Sequence, residues 1–298
     1  MRKESKQLND LVVDVFFPDH DAPENLFAPD TTAVFVHGAG GGSWYWENWM
    51  TWLCAKGVTC QAINLRGHHP SKPVEKIGRV SILEYVSDVE SLLNSIEGDI
   101  ILIGHSMGAL ISQQIVASQK YSVIALVVMG SAPPDGVKMQ GPKEEGIGYR
   151  IKSGLMAIGM IYKMIVKTPL VPVFRATRHY VANCIPESEQ RDFHNKLVPE
   201  SAQVSLDVTK GVIKAQLARI DIPKLLIAGE QDMMAVLPMQ REIAEMQQME
   251  FKHYPDHAHM LMIEPGWQQV LEDVYQWFQS SSLSQSRISR EISAGTSA

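Results

Sequence analysis

The segment around Ser106 constrains the fold of this chain more than any other. Residues 100–103 are four consecutive isoleucine or leucine residues, which predict a buried strand, and the run over 107–118 predicts a helix. The turn between them has the pattern Gly104-x-Ser106-x-Gly108. So tight a turn needs a strained backbone at the serine and glycines on either side, where a Cβ would clash. The pattern predicts a serine hydroxyl beside the positive end of a helix. An ordinary loop with an N-capping serine is the alternative interpretation.

Short β-branched runs alternate with amphipathic helical patterns along most of the chain. This alternation is typical of a mostly parallel sheet flanked by helices, the α/β class. Ser81 and Glu84 form a capping box that predicts a helix start, with apolar residues at helical spacing up to about Ile96. The predicted strands cover 11–17, 33–36, 58–64, 100–103, 123–129, 224–228 and 250–254, the first of them as an antiparallel edge. The other predicted helices include 47–56, 107–118 and 266–279.

The strand pattern stops between Ser131 and Arg219 and then resumes. Glycine and proline punctuate a helical, methionine-rich segment in between. We therefore predict one α/β domain in two parts, 1–134 and 211–279, interrupted by a helical cap at 135–210. Residues 280–298 are serine-rich and have no apolar periodicity, which predicts a disordered tail.

The composition is that of a globular protein, and it argues against several classes of partner. The chain has 298 residues, 45% of them hydrophobic, and a net charge of −6, which argues against nucleic-acid binding. The most apolar stretch, 155–166, is broken by Gly159 and Lys163 and is too short to span a bilayer. No apolar segment of a secretion signal follows the N-terminus. We therefore expect a cytoplasmic protein without stable membrane insertion, and the oligomeric state is left open.

Cofactor and metal patterns are missing from the sequence. The three cysteines, Cys54, Cys60 and Cys184, lack the spacing of a metal site, and we expect the first two to be buried free thiols. Neither glycine-rich phosphate-binding pattern is satisfied. We expect no metal and no organic cofactor.

Two segments upstream of the Gly104-x-Ser106-x-Gly108 turn add to a resemblance to the α/β-hydrolase family. Residues 34–40, which end in His37-Gly38-Ala39-Gly40, are similar to the family's strand and oxyanion-hole loop. Asn64-Leu-Arg-Gly-His68 resembles its D-x-R-G-H-G segment, with Asn64 and a second histidine, His69, as departures. The resemblance covers about residues 30–130 and 220–280. It implies the α/β-hydrolase fold, with a mostly parallel central sheet, flanking helices and an inserted helical cap.

The resemblance implies a catalytic serine, acid and histidine in that chain order. Ser106 is then the nucleophile, and Asp232, in the loop after strand 224–228, is the orienting acid. His259 is the base, because residues 256–265 resemble the family's G-H-x-x-x-x-E-x-P segment.

Alternatives to the base and the acid are close in the sequence. His257 is two residues from His259, and Ala258 replaces the usual glycine. Glu230 competes with Asp232 as the acid, and Asp135 is where some relatives place theirs.

The implied oxyanion hole consists of the backbone N–H groups of Ala39 and Met107. The chain has 15 methionines against 8 phenylalanines, and methionine fills irregular apolar space. We therefore hypothesise a pliant apolar pocket, with ordinary core packing as the alternative. The pocket candidates are Gly38, Gly40, Trp44, Tyr45, His105, Met156, Met160, Met233 and Met260.

These implications favour a serine hydrolase that cleaves small carboxylic esters with an apolar acyl or alcohol group. A hydroxynitrile-lyase-like or methylesterase-like member is the first alternative, since similar loops occur in that branch. A lyase would need a lysine from the cap, where the candidates are Lys143, Lys152, Lys163 and Lys167. A hormone-receptor-like binding protein with a retained triad is the non-enzymatic alternative. Lactone, thioester or carbon–carbon substrates stay open.

Overall fold

One mixed sheet carries the fold. In the computed structural model, which describes residues 1–20, 22, 26–141 and 162–281, the sheet has eight strands in the order β1-β2-β4-β3-β5-β6-β7-β8. They are β1 Arg2–Leu8, β2 Leu11–Phe17, β3 Thr32–Val36, β4 Thr59–Asn64, β5 Ile100–His105, β6 Val123–Met129, β7 Lys224–Gly229 and β8 Glu250–Tyr254. Strand β2 pairs antiparallel with β1 and with β4, and the remaining pairs are parallel.

Helices cover both faces of the sheet. They are α1 Glu47–Ala55, α2 Ile82–Leu93, α3 Met107–Ser118, α4 Glu187–Lys196, α5 Ala202–Thr209, α6 Leu237–Gln247 and α7 Trp267–Ser280. Strand β3 shows the division, because Val34 and Val36 pack into the core cluster with α2, α3 and α6, whereas Phe35 packs into the cluster with α1 and α7. Strands buried on both faces read as continuous apolar runs, which is why the sequence revealed them.

The prediction that strand 11–17 lies at the edge of the sheet is wrong. Strand β2 was expected at the edge, but β1 pairs outside it over seven residue pairs. Strand β1 has the sequence RKESKQL and is mostly exposed, so no apolar alternation marks it. Arg2 and Lys3 instead lie over the rings of Phe17 and Phe16, at 4.3 and 4.5 Å from the ring centroids. Charged side chains on an edge strand also oppose pairing with another chain.

The described part of the segment predicted as a cap contains short helices joined by turns and loops. It contains a helical turn at Phe174–Ala176, a π-helical turn at Thr177–Val181, and helices α4 and α5. Its C-terminal part is bound to the core, because Asp207 Oδ2 accepts from the Ile82 amide (3.0 Å) and Ser201 Oγ donates to the Val80 carbonyl (2.6 Å). The cap boundaries stay a prediction.

The predicted tail and part of the apolar cap segment lie outside the described residues. Of the tail at 280–298, Ser280 ends α7 and Ser281 follows it, and the rest is not described. Among the described helices, none has the length and apolar character that crossing a membrane requires.

The capping box of α2 is confirmed. Ser81 Oγ accepts from the Glu84 amide at 3.4 Å, and Glu84 Oε2 accepts from the Ser81 amide at 2.9 Å. The helix ends at Leu93, earlier than the apolar pattern predicted. The amides of Ser95 and Ile96 donate to carbonyls three residues back, so the chain leaves the helix through a tighter turn.

We expect Ser81→Ala to lower the free energy of unfolding by about 1 kcal/mol, because one amide of the first turn loses its acceptor. Equilibrium urea unfolding followed by tryptophan fluorescence measures this. Ser87→Ala is the matched control, since Ser87 is exposed on the same helix and its Oγ only donates back to the Leu83 carbonyl. Alanine favours helix there, so that variant should lose no stability. Equal effects of the two substitutions would contradict the prediction.

Candidate active site

Ser106 has a strained backbone at the junction of β5 and α3. Its φ is 54° and its ψ −115°, a region that residues other than glycine rarely occupy. Neighbours hold this conformation in place. The Ser106 amide donates to the Met129 carbonyl of β6 at 2.9 Å, and the Ser106 carbonyl accepts from Ala132 at 3.1 Å. Strain of this kind persists where surrounding structure overdetermines it, and it is concentrated at functional sites.

The two glycines of the turn are needed because three elements pass very close together. A Cβ on Gly104 would lie 2.5 Å from Ser112 Oγ and 2.6 Å from the Gly108 carbonyl oxygen. A Cβ on Gly108 would lie 2.3 Å from the carbonyl oxygen of Val36 in β3. The steric reason that the sequence analysis gave for these glycines is therefore confirmed.

Asp232 and His259 form a buried, directed pair. Asp232 Oδ1 accepts from the amides of Met234 (2.7 Å) and Ala235 (2.8 Å), which orients the carboxylate. Its Oδ2 lies 2.8 Å from His259 Nδ1. Burial by itself would lower the pKa of His259, but the charge of Asp232 and the hydrogen bond to it outweigh burial and raise that pKa.

The Asp232–His259 pair and Ser106 meet at the carboxyl ends of β5, β6 and β7. A Cβ on Gly130 would lie 3.2 Å from Asp232 Oδ2 and 3.3 Å from His259 Nδ1. Gly130 directly follows Met129, whose carbonyl accepts from the Ser106 amide. His105, which precedes Ser106, donates from Nε2 to the His259 carbonyl at 2.9 Å. The structure thus brings the three predicted catalytic residues together.

His257, the alternative base, has a different partner. Its Nδ1 lies 3.1 Å from Glu264 Oε2. The same buried carboxylate accepts from the amides of Ala258 (2.8 Å) and Met260 (2.9 Å). Glu264 therefore holds the loop that presents His259, which gives a physical role to the glutamate in the sequence pattern.

The alternative acids lie elsewhere. Glu230 is exposed and pairs with His253 Nδ1. Asp135 is exposed, and its amide donates to the Ile213 carbonyl at 2.8 Å. Asp232 is the carboxylate bound to His259 Nδ1.

The loop after β3 passes directly beside Ser106. A Cβ on Gly38 would lie 3.0 Å from Ser106 Cβ and 2.7 Å from His105 Nδ1. Gly41 donates to the Gly38 carbonyl at 3.2 Å, which closes a turn around Ala39. The amide of Met107 has no partner within its own helix, because Met107 is the first residue of α3. The loop that contains Ala39 and the amide of Met107 therefore both lie next to Ser106.

A buried histidine fixes the start of this loop. His37 Nδ1 lies 2.8 Å from the Gly38 carbonyl oxygen, and its Nε2 accepts from the Leu65 amide at 3.2 Å. Burial and the nearby His68 lower the pKa of His37 to about 3, so the ring is neutral.

The hydrogen bonds of the Asn64 side chain explain why asparagine fits here in place of the aspartate of the family pattern. Its Oδ1 accepts from the Ser43 amide at 2.8 Å, and its Nδ2 donates to the Val12 carbonyl at 3.2 Å. An ionised carboxylate could not make the second bond.

The aromatic and methionine pocket candidates lie in different surroundings. Tyr45 is buried and stacks on Phe193 of α4 with ring centroids 6.2 Å apart, and half-buried Trp44 lies 5.5 Å from the same ring. Met260 is fully buried in the core cluster that includes α7, whereas Met233 is half-buried beside Asp232. Met156 and Met160 lie outside the described residues.

Glu200, for which the sequence predicts no role, lies against the loop after β3. Its Oε2 accepts from the Gly40 amide at 2.9 Å. Only its burial distinguishes it from the surface acids of the same segment, and burial is not visible in the local sequence.

A model of the alpha/beta hydrolase family matches residues 33–271, most of the chain. The chain belongs to the α/β-hydrolase family. The predicted family and fold class are confirmed.

The individual proteins that resemble this chain have low sequence identity to it. The probable esterase PIR7A of Oryza sativa is 30% identical over 123 residues, which are 40% of this chain and 46% of that protein. The chain thus matches less than half the length of this curated relative. The fold is similar to a monoacylglycerol lipase from Paleococcus ferrophilus (TM-score 0.68, 19% identity, 94% of this chain and 99% of that one). It is also similar to a soluble variant of Saccharomyces cerevisiae monoglyceride lipase (TM-score 0.70, 14% identity, 92% and 93% covered).

We expect Asp232→Asn to move the pKa of His259 from above its ordinary value of 6.5 to below it. The substitution removes the charge that raises the pKa, and burial, which lowers it, remains. NMR titration of the ring signals measures both values. Glu230→Gln is the control, since it neutralises an acid paired with the exposed His253 and should leave His259 unchanged. An unmoved His259 pKa in Asp232→Asn would show that the pair is not coupled.

Proposed function

We propose that this protein is a serine hydrolase that cleaves carboxylic esters of small molecules. The observation that carries the proposal is the arrangement around Ser106: a strained serine at a helix start, a buried acid–histidine pair beside it, and two flanking backbone amides. Membership of the family and the resemblance of part of the chain to a probable esterase support it.

The proposed reaction proceeds through an acyl-enzyme. Ser106 Oγ attacks the ester carbonyl carbon while His259 Nε2 accepts the hydroxyl proton. The tetrahedral intermediate collapses, its carbon–oxygen bond to the alcohol breaks, and His259 passes the proton to the leaving alcohol. Water then attacks the acyl-enzyme by the same route. It gives its proton to His259, which returns it to Ser106 Oγ as the carboxylic acid leaves.

Asp232 and the amides stabilise the charges that develop. Asp232 holds His259 in the tautomer with the proton on Nδ1 and stabilises the imidazolium, which the raised pKa of His259 reflects. The negative oxygen of the intermediate lies toward the amides of Ala39 and Met107, beside the positive end of α3. One such donor contributes a factor of about 10²–10³ to the rate.

The aromatic residues between the loop and the cap support an apolar acyl or alcohol group. Trp44, Tyr45 and Phe193 form a contiguous cluster between the oxyanion loop and α4. We further propose a cytoplasmic location, because Cys54 and Cys60 are buried free thiols.

The alternative functions require different features of the site or different behaviour toward an ester. A lyase needs a cap lysine at the site, and Lys163 and Lys167 are exposed, while Lys143 and Lys152 lie outside the described residues. A ligand-binding protein would bind an ester with negligible multiple turnover, whereas a hydrolase would cycle.

We expect Ser106→Ala to abolish labelling by a fluorophosphonate probe and to lower kcat for p-nitrophenyl butyrate by about 10⁴-fold or more, since the nucleophile is removed. Gel fluorescence and initial rates measure the two effects. Ser87→Ala, an exposed serine of α2, should label and turn over as the unmodified protein does. Retained labelling and hydrolysis in Ser106→Ala would refute the proposed mechanism.

We expect p-nitrophenyl esters of four to eight acyl carbons to have a higher kcat/KM than the acetate. Each methylene that enters an apolar pocket contributes about 0.8 kcal/mol, roughly a fourfold increase in kcat/KM until the pocket is filled. Initial rates across the series, with a matched thioester and lactone, measure the preference. A strict preference for acetate would exclude a pliant apolar pocket and assign the methionines to core packing.

A further inference from the structure

Glu200 is a buried carboxylate that accepts four hydrogen bonds. It lies in the predicted cap, two residues before the start of α5, and it is 6% exposed. Its Oε2 accepts from the Gly40 amide (2.9 Å) and lies 3.1 Å from His68 Nε2. Its Oε1 accepts from Tyr85 Oη (2.7 Å) and from the Ser201 amide (2.6 Å). This number of donors is the full complement expected for an ionised carboxylate.

His68 and Glu200 form a buried ion pair. His68 is fully buried, and its other ring nitrogen, Nδ1, lies 3.1 Å from the Arg66 carbonyl oxygen. Both ring nitrogens thus face acceptors, so both carry protons. Burial would lower the pKa of His68, but the charge of Glu200 and the hydrogen bond to it raise it. Burial would raise the pKa of Glu200, but His68 and the other donors hold it at about 2.

The cap holds Gly40 on both sides. Its amide donates to Glu200, and its carbonyl accepts from the Val198 amide at 2.9 Å. Gly40 has a φ of 65°, and a Cβ there would lie 2.9 Å from the Val198 carbonyl oxygen, so the fit leaves no room for a side chain. The preceding residue is Ala39, whose amide is a proposed oxyanion donor. Movement of Gly40 would therefore displace Ala39 and its amide.

We propose that Glu200 is a positioning residue that, from the cap, fixes Gly40 and with it the Ala39 amide of the oxyanion hole. This inference rests on the proposed hydrolase function. It makes the cap a contributor to the catalytic geometry in addition to a cover over the site.

The positioning role of the Glu200 carboxylate can be distinguished from attachment of the cap to the core, because other groups also make that attachment. Leu170 and Glu200 pair through two backbone hydrogen bonds of 2.8 and 3.0 Å. Ser201 and Asp207 bind the core independently, through Val80 and the amide of Ile82. The segment that carries Glu200 therefore has contacts to the core besides the Glu200 carboxylate, which binds Gly40, His68 and Tyr85.

Glu200→Gln tests the proposal because glutamine has one side-chain oxygen. It cannot accept hydrogen bonds at the positions of both Oε1 and Oε2. With its amide group turned toward a neutral His68, it leaves the Gly40 amide without an acceptor. We expect kcat for p-nitrophenyl butyrate to fall about 10- to 100-fold with KM within about threefold. Affinity for a trifluoromethyl ketone, whose adduct with Ser106 has a negative oxygen, should fall by the same factor as kcat/KM.

Glu200→Asp is the second variant should Glu200→Gln fold poorly. It keeps the charge that His68 requires, but it is one methylene too short to reach both His68 and Gly40. It should also lower kcat at nearly constant KM. Asp207→Asn is the matched control, since it neutralises another buried acid of the cap that binds the core without touching the oxyanion loop. It should lower thermal stability and leave kcat unchanged.

Hydrogen exchange of the Gly40 amide provides a measurement that needs no substrate. Exchange should be faster in Glu200→Gln and unchanged in Asp207→Asn. Unchanged exchange, unchanged kcat in both Glu200 variants, or an equal loss of kcat in Asp207→Asn would overturn the inference. Absence of turnover and of Ser106 labelling in the unmodified protein would instead refute the proposed function, and exchange would still decide whether Glu200 positions the loop.

Discussion

The close approach of α3 to strands β3 and β5 is the constraint on which the site depends. Without side chains at Gly104 and Gly108, the start of α3 lies against the Val36 carbonyl, and the chain can turn only with a positive φ at Ser106. The same approach brings the loop after β3 beside the serine, as the contact between Gly38 and Ser106 shows. One steric condition therefore sets the positions of the hydroxyl and of both flanking amides.

Three buried carboxylate–histidine pairs hold the loops around this point. Asp232 binds His259, Glu264 binds His257, and Glu200 binds His68. Each carboxylate also accepts backbone amides, so each orients a segment of chain as well as a ring. Charges buried at this depth are costly unless they are paired and fully hydrogen-bonded, and such networks favour one arrangement over alternatives. The chemistry proposed for one pair thus depends on the rigidity that the other two provide.

The sequence predicted what depends on local pattern. Central strands were found because both of their faces are apolar, and α3 was found with its observed bounds, Met107–Ser118. Strand β1 was missed because backbone pairing and ring contacts hold it, and neither leaves an apolar period. The sequence proposes Ser106, Asp232 and His259 as catalytic because each follows a strand in a recognisable loop, and these roles stay a prediction. Glu200 was missed because its partners, Gly40, His68 and Tyr85, are more than a hundred residues away.

The contacts of Gly40 also restrict how the cap can move while the site stays competent. Its amide and its carbonyl both bind the 198–200 segment, which is paired with Leu170 and continues into α5 on the core. A rigid movement of the whole predicted cap would pull Gly40 and displace the neighbouring Ala39, whose amide is the proposed oxyanion donor. For the proposed hydrolase, adjustment to different substrates is therefore expected in parts of the predicted cap outside 198–200. The 198–200 segment, which binds Gly40 on both sides, has to stay fixed if the proposed oxyanion hole is to stay intact.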